Sequence, residues 1–183
     1  VYIVNSALGT SDITATESWL MSRYGGAAAF SPQPGTPPIL DGLVGAYSGE
    51  SYDAGARLWR DVSGAGNNAV AGGAGSITVA ASSIPVTSTA ASGSRASIIG
   101  SRTASLTWPS GTAIQSGYTL FHVTRYAGTA TNRIYDATVG NFASGFYQGV
   151  QGMAVHGAGA TISRTTPAPP AWVISSDQVG QWG

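Results

Sequence analysis

The clearest pattern in the chain is the run "YTLFHVTRY", Tyr118 to Tyr126. Read with a period of two, Tyr118, Leu120, His122, Thr124 and Tyr126 share one face, and Thr119, Phe121, Val123 and Arg125 share the other. That predicts a strand. Shorter apolar runs bounded by Gly, Ser and Asn recur along most of the sequence: "LVGAY", "RLWRDV", "SITVA", "RASIIG", "SLTW", "NRIYDA", "GMAVHG" and "AWVIS". Turn signals about every 8–12 residues between them predict antiparallel sheets packed as a sandwich or barrel. Near the start, "VYIVNSAL" reads as one more strand. A period of 3.6 follows: Thr10 or Ser11 as N-cap, Asp12 in the first turn, and a helix over Ile13 to Tyr24 with Ile13, Leu20 and Tyr24 on one face. Gly25 and Gly26 end it. The stretch Ala69 to Gly100, rich in Ala, Gly and Ser, reads as long plain loops around two weak strands.

Two Pro clusters divide the chain, "GAAAFSPQPGTPP" at 26–38 and "TTPAPPAW" before the last strand. The first has the composition of an extended linker or surface strap. The organisation expected is therefore a strand and helix over 1–25, a Pro-rich linker over 26–38, and a β domain over 39–183.

Composition narrows the function classes. Charged residues are 9% of the 183, far below the roughly 25% usual in soluble domains. The bases are all Arg, and the formal net charge is zero, so no whole-chain field attracts nucleic acid or an anionic membrane. Cys is absent, which excludes disulfides, zinc-thiolate sites and thiol nucleophiles. No run reaches the ~18 apolar residues of a membrane helix. The first residues lack a basic n-region, so they do not read as a signal peptide; the chain reads as a processed product or an excerpt of something longer. A surface made of Ser, Thr, Gly and Asn suits an extracellular or assembled protein, and we expect no membrane insertion.

The segment "LVGAYSGESYDAGARLWRDVSGAGNNA" followed by "YTLFHVTRYAGTATNRIYDATVGNFASGFYQGVQGMAVHG" resembles concanavalin A-like (laminin-G-like) jelly-roll domains. In these, an early strand precedes W-x-D-x-S-G-x-G-N-x-A, and central strands of the form T-L-F-x-V-x-R-Y lead into N-R-I-[FY]-D. The resemblance covers Ile39 to Gly183. "SDITATESWLMSRYG" is similar to the helix that closes such a domain. The resemblance implies an all-β antiparallel jelly-roll sandwich with one short N-terminal helix, and a 39–183 domain that stops before its final strands. Two arrangements fit: a slice of a tandem array, which we favour, or an N-terminal strand and helix folded back onto the body.

Several sites compete. Gly64, Gly66 and Ala69 match G-x-G-x-x-A, but "VAGGAGS" cannot form the helix a phosphate cradle needs, and no acidic residue lies between Asp61 and Asp136. Asp61, Asn67 and Asn68 offer oxygens of the kind laminin-G-type domains use for Ca²⁺. One carboxylate is a thin charge count, and Asp61 is a weak Ca²⁺ candidate. The favoured reading is a fold-signature turn made of Trp59, Asp61, Ser63, Gly64, Asn67 and Asn68, with Trp59 packed inward and Asp61 bonding the amides of the Ser-Gly turn. We expect no metal or cofactor. Glycoside hydrolases of this fold carry E-x-D-x-x-E, which is absent; Glu50 and Asp53 are the nearest pair, in a loop. His122 and His156 lack a G-x-S-x-G elbow and are expected as strand residues. "HVTRY" alone is too little for base stacking.

A glycan or partner site remains. Arg133, Asp136, Asn141, Tyr147 and His156 combine an aromatic ring with groups that bond hydroxyls. Against it stands a plain hairpin in which Arg133 pairs with Asp136. The expected function is a non-catalytic structural or adhesive module on a cell or virion surface, its partners other copies or neighbouring repeats. The alternative is a lectin for cell-surface glycans.

Overall fold

The computed structural model describes residues 1–24, 41–88, 91–109, 117–129, 131–137, 141–156, 160–162 and 171–179. The linker expected at 26–38, the helix stop at Gly25 and Gly26, and the second Pro cluster up to residue 170 lie outside them. Among the described residues the protein is all-β with one helix. In order, the elements are β1 (Tyr2–Val4), α1 (Thr10–Tyr24), β2 (Leu43–Ala46), a single 3₁₀ turn (Gly49–Ser51), β3 (Tyr52–Asp53), β4 (Leu58–Trp59), β5 (Ala69–Gly73), β6 (Ile77–Ser88) and β7 (Ala91–Gly100). There follow β8 (Ala104–Thr107), β9 (Tyr118–Thr124), β10 (Tyr135–Asp136), β11 (Phe142–Tyr147), β12 (Val150–His156), β13 (Ala160–Ile162) and β14 (Val173–Val179). Every strand pair is antiparallel, in sheets ordered β14-β9-β1-β2, β10-β11-β12-β13, β3-β4-β5-β8 and β6-β7.

Strand β9 shows the predicted alternation, but both of its faces are buried. Tyr118 and Leu120 join Ile3, Tyr52, Trp59, Ala71, Tyr135 and Phe142 in a core where three sheets meet. On the opposite face Phe121 packs with Val4, Trp19 and Leu20 beneath α1. The period of two sends Ile3 and Leu120 one way and Val4 and Phe121 the other, so one central pair of strands serves two cores. Burying a side chain the size of Phe121 contributes about 1.5–3 kcal/mol.

Of the two arrangements left open for the N-terminal strand and helix, the described residues adopt the folded-back one. β1 pairs with β9 along one edge (Tyr2 opposite Phe121) and with β2 along the other (Tyr2 opposite Ala46). The helix begins earlier than expected. Thr10 and Ser11 lie inside its first turn, and the Gly9 carbonyl accepts from the amides of Asp12 and Ile13. Ile13 and Leu20 face the sheet as the spacing required, with Thr16 and Trp19 buried beside them. The side chain of Tyr24 lies outside the described residues.

Ala69 to Gly100 departs furthest from expectation. It forms β5, central in its sheet, and a long β6–β7 ribbon running from Ile77 opposite Gly100 to Ser88 opposite Ala91. Backbone pairing needs no large side chain. Ala69 is fully buried in the core beside Trp59, a place a larger residue would overfill.

Candidate functional site

The turn after β4 is built around one carboxylate. Asp61 Oδ1 accepts from the amides of Ala46 (2.9 Å) and Ser63 (2.9 Å), and Oδ2 from the Ser63 hydroxyl (2.9 Å) and the Asn67 amide (3.0 Å). Asn68 Oδ1 takes the Asp61 amide at 2.9 Å, and Asn67 Nδ2 donates to Val44 O at 2.7 Å. Gly64 and Gly66 supply the left-handed backbone, with φ of 93° and 77°. Trp59 is buried and donates through Nε1 to Ser48 O at 2.6 Å. Burial alone would raise the Asp61 pKa; the bonds from Ala46, Ser63 and Asn67 outweigh it and hold the carboxyl below its ordinary value. A Ca²⁺ at Asp61 would have to take the carboxylate from four donors. Among the described residues no group of three or more His, Asp or Glu converges in a way that would hold a metal.

The β10–β11 hairpin gathers the expected binding residues around a guanidinium. Arg133 Nη1 donates to Asp136 Oδ1 (3.0 Å) and Phe142 O (2.9 Å), and Nη2 to Asn141 Oδ1 (2.7 Å). The guanidinium carbon lies 5.0 Å from the centre of the Tyr147 ring. Four of the five predicted residues thus touch one another, and the Arg133–Asp136 pair is at once a local hairpin contact and a member of this node. Its stabilising contribution is small, on the order of 0–1 kcal/mol, because the Asp136 side chain is 55% exposed. His156 is placed by its backbone, opposite Phe142 on β12; its side chain lies outside the described residues.

His122 is a structural residue of the core. It is 1% exposed, with Nδ1 3.1 Å from Thr124 Oγ1 and Nε2 3.2 Å from Ser144 Oγ, and its ring centre is 4.6 Å from that of Tyr135. Burial pushes its pKa down to about 3, so the imidazole is neutral in the folded protein. The unfolded chain binds this proton near pH 6.5 and the folded chain does not, so stability falls as the pH drops from about 6.5 towards 3. Between pH 7.5 and pH 5 the part of the loss due to His122 should be roughly 2 kcal/mol. Urea unfolding of the parent and of His122→Gln at the two pH values reads it as the difference between their slopes; the Val1 amino group, which burial lowers to about 5, leaves a slope of the same sign in both.

Other carboxylates also bond within the fold. Glu50 accepts from the Ala96 amide at 3.2 Å, whereas Asp53 accepts from the Ala56 amide at 2.9 Å and pairs with Arg60 at 2.6 Å. The two acids therefore serve different neighbours.

A group that the sequence reading missed lies beside the Arg133 node. Among the described residues a cleft of ≈ 940 Å³ is lined by Trp108, Arg125, Arg133, Tyr135 and Trp172 together with residues of β7 and β8. Trp108 stacks on Tyr135, with ring centres 6.3 Å apart and planes 24° from parallel. Its Nε1 is buried and closes no hydrogen bond; the Tyr47 hydroxyl beside it donates to Asn67 O. Arg125 lies over the Trp172 ring at 5.0 Å. Arg125 belongs to "HVTRY", but its stacking partner is contributed by a distant strand end, and no local signal joins the two.

Compared with models of protein families, with characterised proteins and with solved structures, the chain has no match. No helix among the described residues is long and apolar enough to cross a membrane.

Proposed function

We propose that this chain is a non-catalytic, surface-exposed structural or adhesive module, a segment of an extracellular fibre, appendage or virion-surface assembly, folded as a jelly-roll sandwich of the concanavalin A-like kind. The observation that carries this reading is the use made of the acidic groups. Glu17 accepts from the Ser176 hydroxyl, Glu50 from a β7 amide, and Asp177 from the Tyr118 hydroxyl at 3.4 Å. Asp53 and Asp136 pair with arginines, and Asp61 holds a turn. Hydrolytic acid–base work needs a pair of carboxyl groups facing a substrate across a shared gap, whereas these six serve the fold. The sandwich reading draws on the meeting of three antiparallel sheets at one core. Assembly draws on the sheet edges: among the described residues each of the four sheets ends on two edge strands, and edges invite pairing with another chain unless covered. Self-association of the purified chain is the test of this reading.

A second reading, recognition of cell-surface glycans, is favoured by the Arg133 node. Tyr147 offers a ring face for a sugar, while Asn141 and Asp136 keep hydrogen-bonding capacity at its edge. On a glycan array the protein should give sugar-selective signal, and Tyr147→Ala should reduce it by roughly tenfold, the loss expected for one stacking contact worth about 1–1.5 kcal/mol. Signal unchanged by the substitution would remove the node from the binding surface.

A further inference from the structure

We propose that the cleft beside the Arg133 node is a slot for one more β-strand, an extended segment of another protein that pairs with the free end of β9 and sets an acidic side chain against Arg125. The inference goes beyond the structural-module reading and does not depend on self-association of the chain.

The two edges of β9 are unequally covered. β14 pairs with it over its whole length, Tyr118 to Thr124, whereas β1 pairs with it only from Thr119 to Phe121. Val1 fixes which way the backbone groups point. Its amine donates to Tyr47 O at 2.8 Å, and its carbonyl accepts from the Tyr47 amide at 2.8 Å. Backbone groups alternate between the two edges of a strand, so those of Tyr2 and of Phe121 opposite it face each other. Two residues on, the N–H and C=O of Val123 point the same way, past the end of β1. Among the described residues they have no backbone partner on that side. The cleft runs along this edge. A cavity against the face of a strand meets every second residue, whereas this one is lined without a break from Phe121 to Thr129.

The lining states the chemistry of the occupant. An unpaired strand edge is matched by an extended backbone, which brings N–H and C=O groups at the right repeat. The slot opens on both faces of the sheet, and both are apolar: Val123 and Trp172 on the side of α1, Trp108 and Tyr135 on the side of the core. The inserted strand therefore carries apolar side chains on each face. Its charge follows from the arginines. Arg102, Arg125 and Arg133 line the cleft against one carboxylate, Asp136, which is already bonded to Arg133. Arg125 shares the α1 face with Val123, lies over the Trp172 ring and has no carboxylate partner among the described residues. An acidic residue across from it completes a cross-strand pair. A second copy is the poorer donor. Every described strand already sits in a sheet, and the acidic residues on them, Asp53, Asp136 and Asp177, bond within the fold.

The test is residue-resolved hydrogen exchange of the whole chain, alone and with synthetic octapeptides of valine, leucine and threonine in which one glutamate is moved along the sequence. In the free chain the Val123 amide should exchange at least about tenfold faster than those of His122 and Thr124, which β14 covers. The best-binding peptide should remove that difference. Lysine in place of its glutamate should weaken binding about fivefold or more, and Arg125→Glu should reverse the preference. Methylating every second peptide amide blocks one strand edge and leaves charge and side chains in place, so one of the two methylated forms should lose binding. That comparison leaves the protein unchanged and decides the matter should Arg125→Glu fail to fold. A Val123 amide already protected in the free chain at every concentration means that the chain fills its own slot; protection that grows with protein concentration means that a second copy does. Either result overturns the proposal. So does the absence of binding by any peptide, binding by both methylated forms, or indifference to the sign of the charge. A monomeric chain that binds the peptide in this way contradicts the self-association reading and leaves the slot standing.

Discussion

Gly145→Ala is expected to destabilise the protein by roughly 2–4 kcal/mol, the combined effect of a strained backbone and an overfilled core. Gly145 has φ of +84°, a region that an L side chain enters at a cost. A Cβ there would lie 2.4 Å from His122 Cε1 and 2.9 Å from Nε2. The imidazole has nowhere to retreat, being fixed between Thr124 and Ser144 and against Tyr135. The pairing of β11 with β12 also shifts register between Gly145 and Phe146, so the glycine is where the strand bends over the histidine. Urea denaturation measures the loss. A double variant that also shortens His122 should be less unstable than the sum of the two single changes, because the steric part of the penalty disappears with the ring. A loss below about 0.5 kcal/mol for Gly145→Ala, the range of an ordinary surface change, would mean that β11 does not cross His122 in this register.

Asp61→Ala should destabilise by roughly 2–4 kcal/mol, because it leaves the amides of Ala46, Ser63 and Asn67 without their acceptor. Asp61→Asn keeps one acceptor oxygen and should lose less. The lowered pKa fixes the pH dependence: the contribution is present above the ordinary carboxylate range and is lost only as the pH falls through the lower folded value. It is thus separate from the His122 effect, which sets in from about pH 6.5 downward. Thermal melting with and without Ca²⁺ completes the comparison. Equal melting temperatures support a turn held by its own hydrogen bonds; a Ca²⁺-dependent rise that Asp61→Ala removes would make the turn a metal site.

Where strands carry large residues in alternation, the sequence announced them. Tyr118 to Thr124 is one case, and Trp59 with its turn is another, because Asp, Ser, Gly and Asn at those offsets form a local hydrogen-bonded loop. Apart from the two-residue β3 (Tyr52–Asp53), which reads as a loop in the sequence, the strands that went unread carry small residues at buried positions. β5 is "AVAGG", and β11 contains Ala143 and Ser144, both fully buried because bulk on neighbouring strands already fills the space. Small residues there are the imprint of long-range packing, which no local period carries. The same division runs through the candidate site. Arg133, Asp136, Asn141 and Tyr147 lie within fifteen positions of one another and read as a cluster; the structure joins them. The stacking of Arg125 on Trp172, the pairing of His122 with Ser144 and the enclosure of Trp108 depend on contacts between separate strands. Arg125 meets Trp172 because β14 pairs with β9.

The folded-back N-terminal strand bears on assembly as well. β1 is paired on both edges and the outer edge of β2 is taken by the turn after β4, so edge-to-edge association would fall to strands such as β14 and β13, whose outer edges end their sheets among the described residues. Sedimentation velocity of the purified chain over a wide concentration range tests the structural-module reading most directly. The account predicts concentration-dependent association into discrete larger species. A single monomeric boundary at every concentration would contradict it.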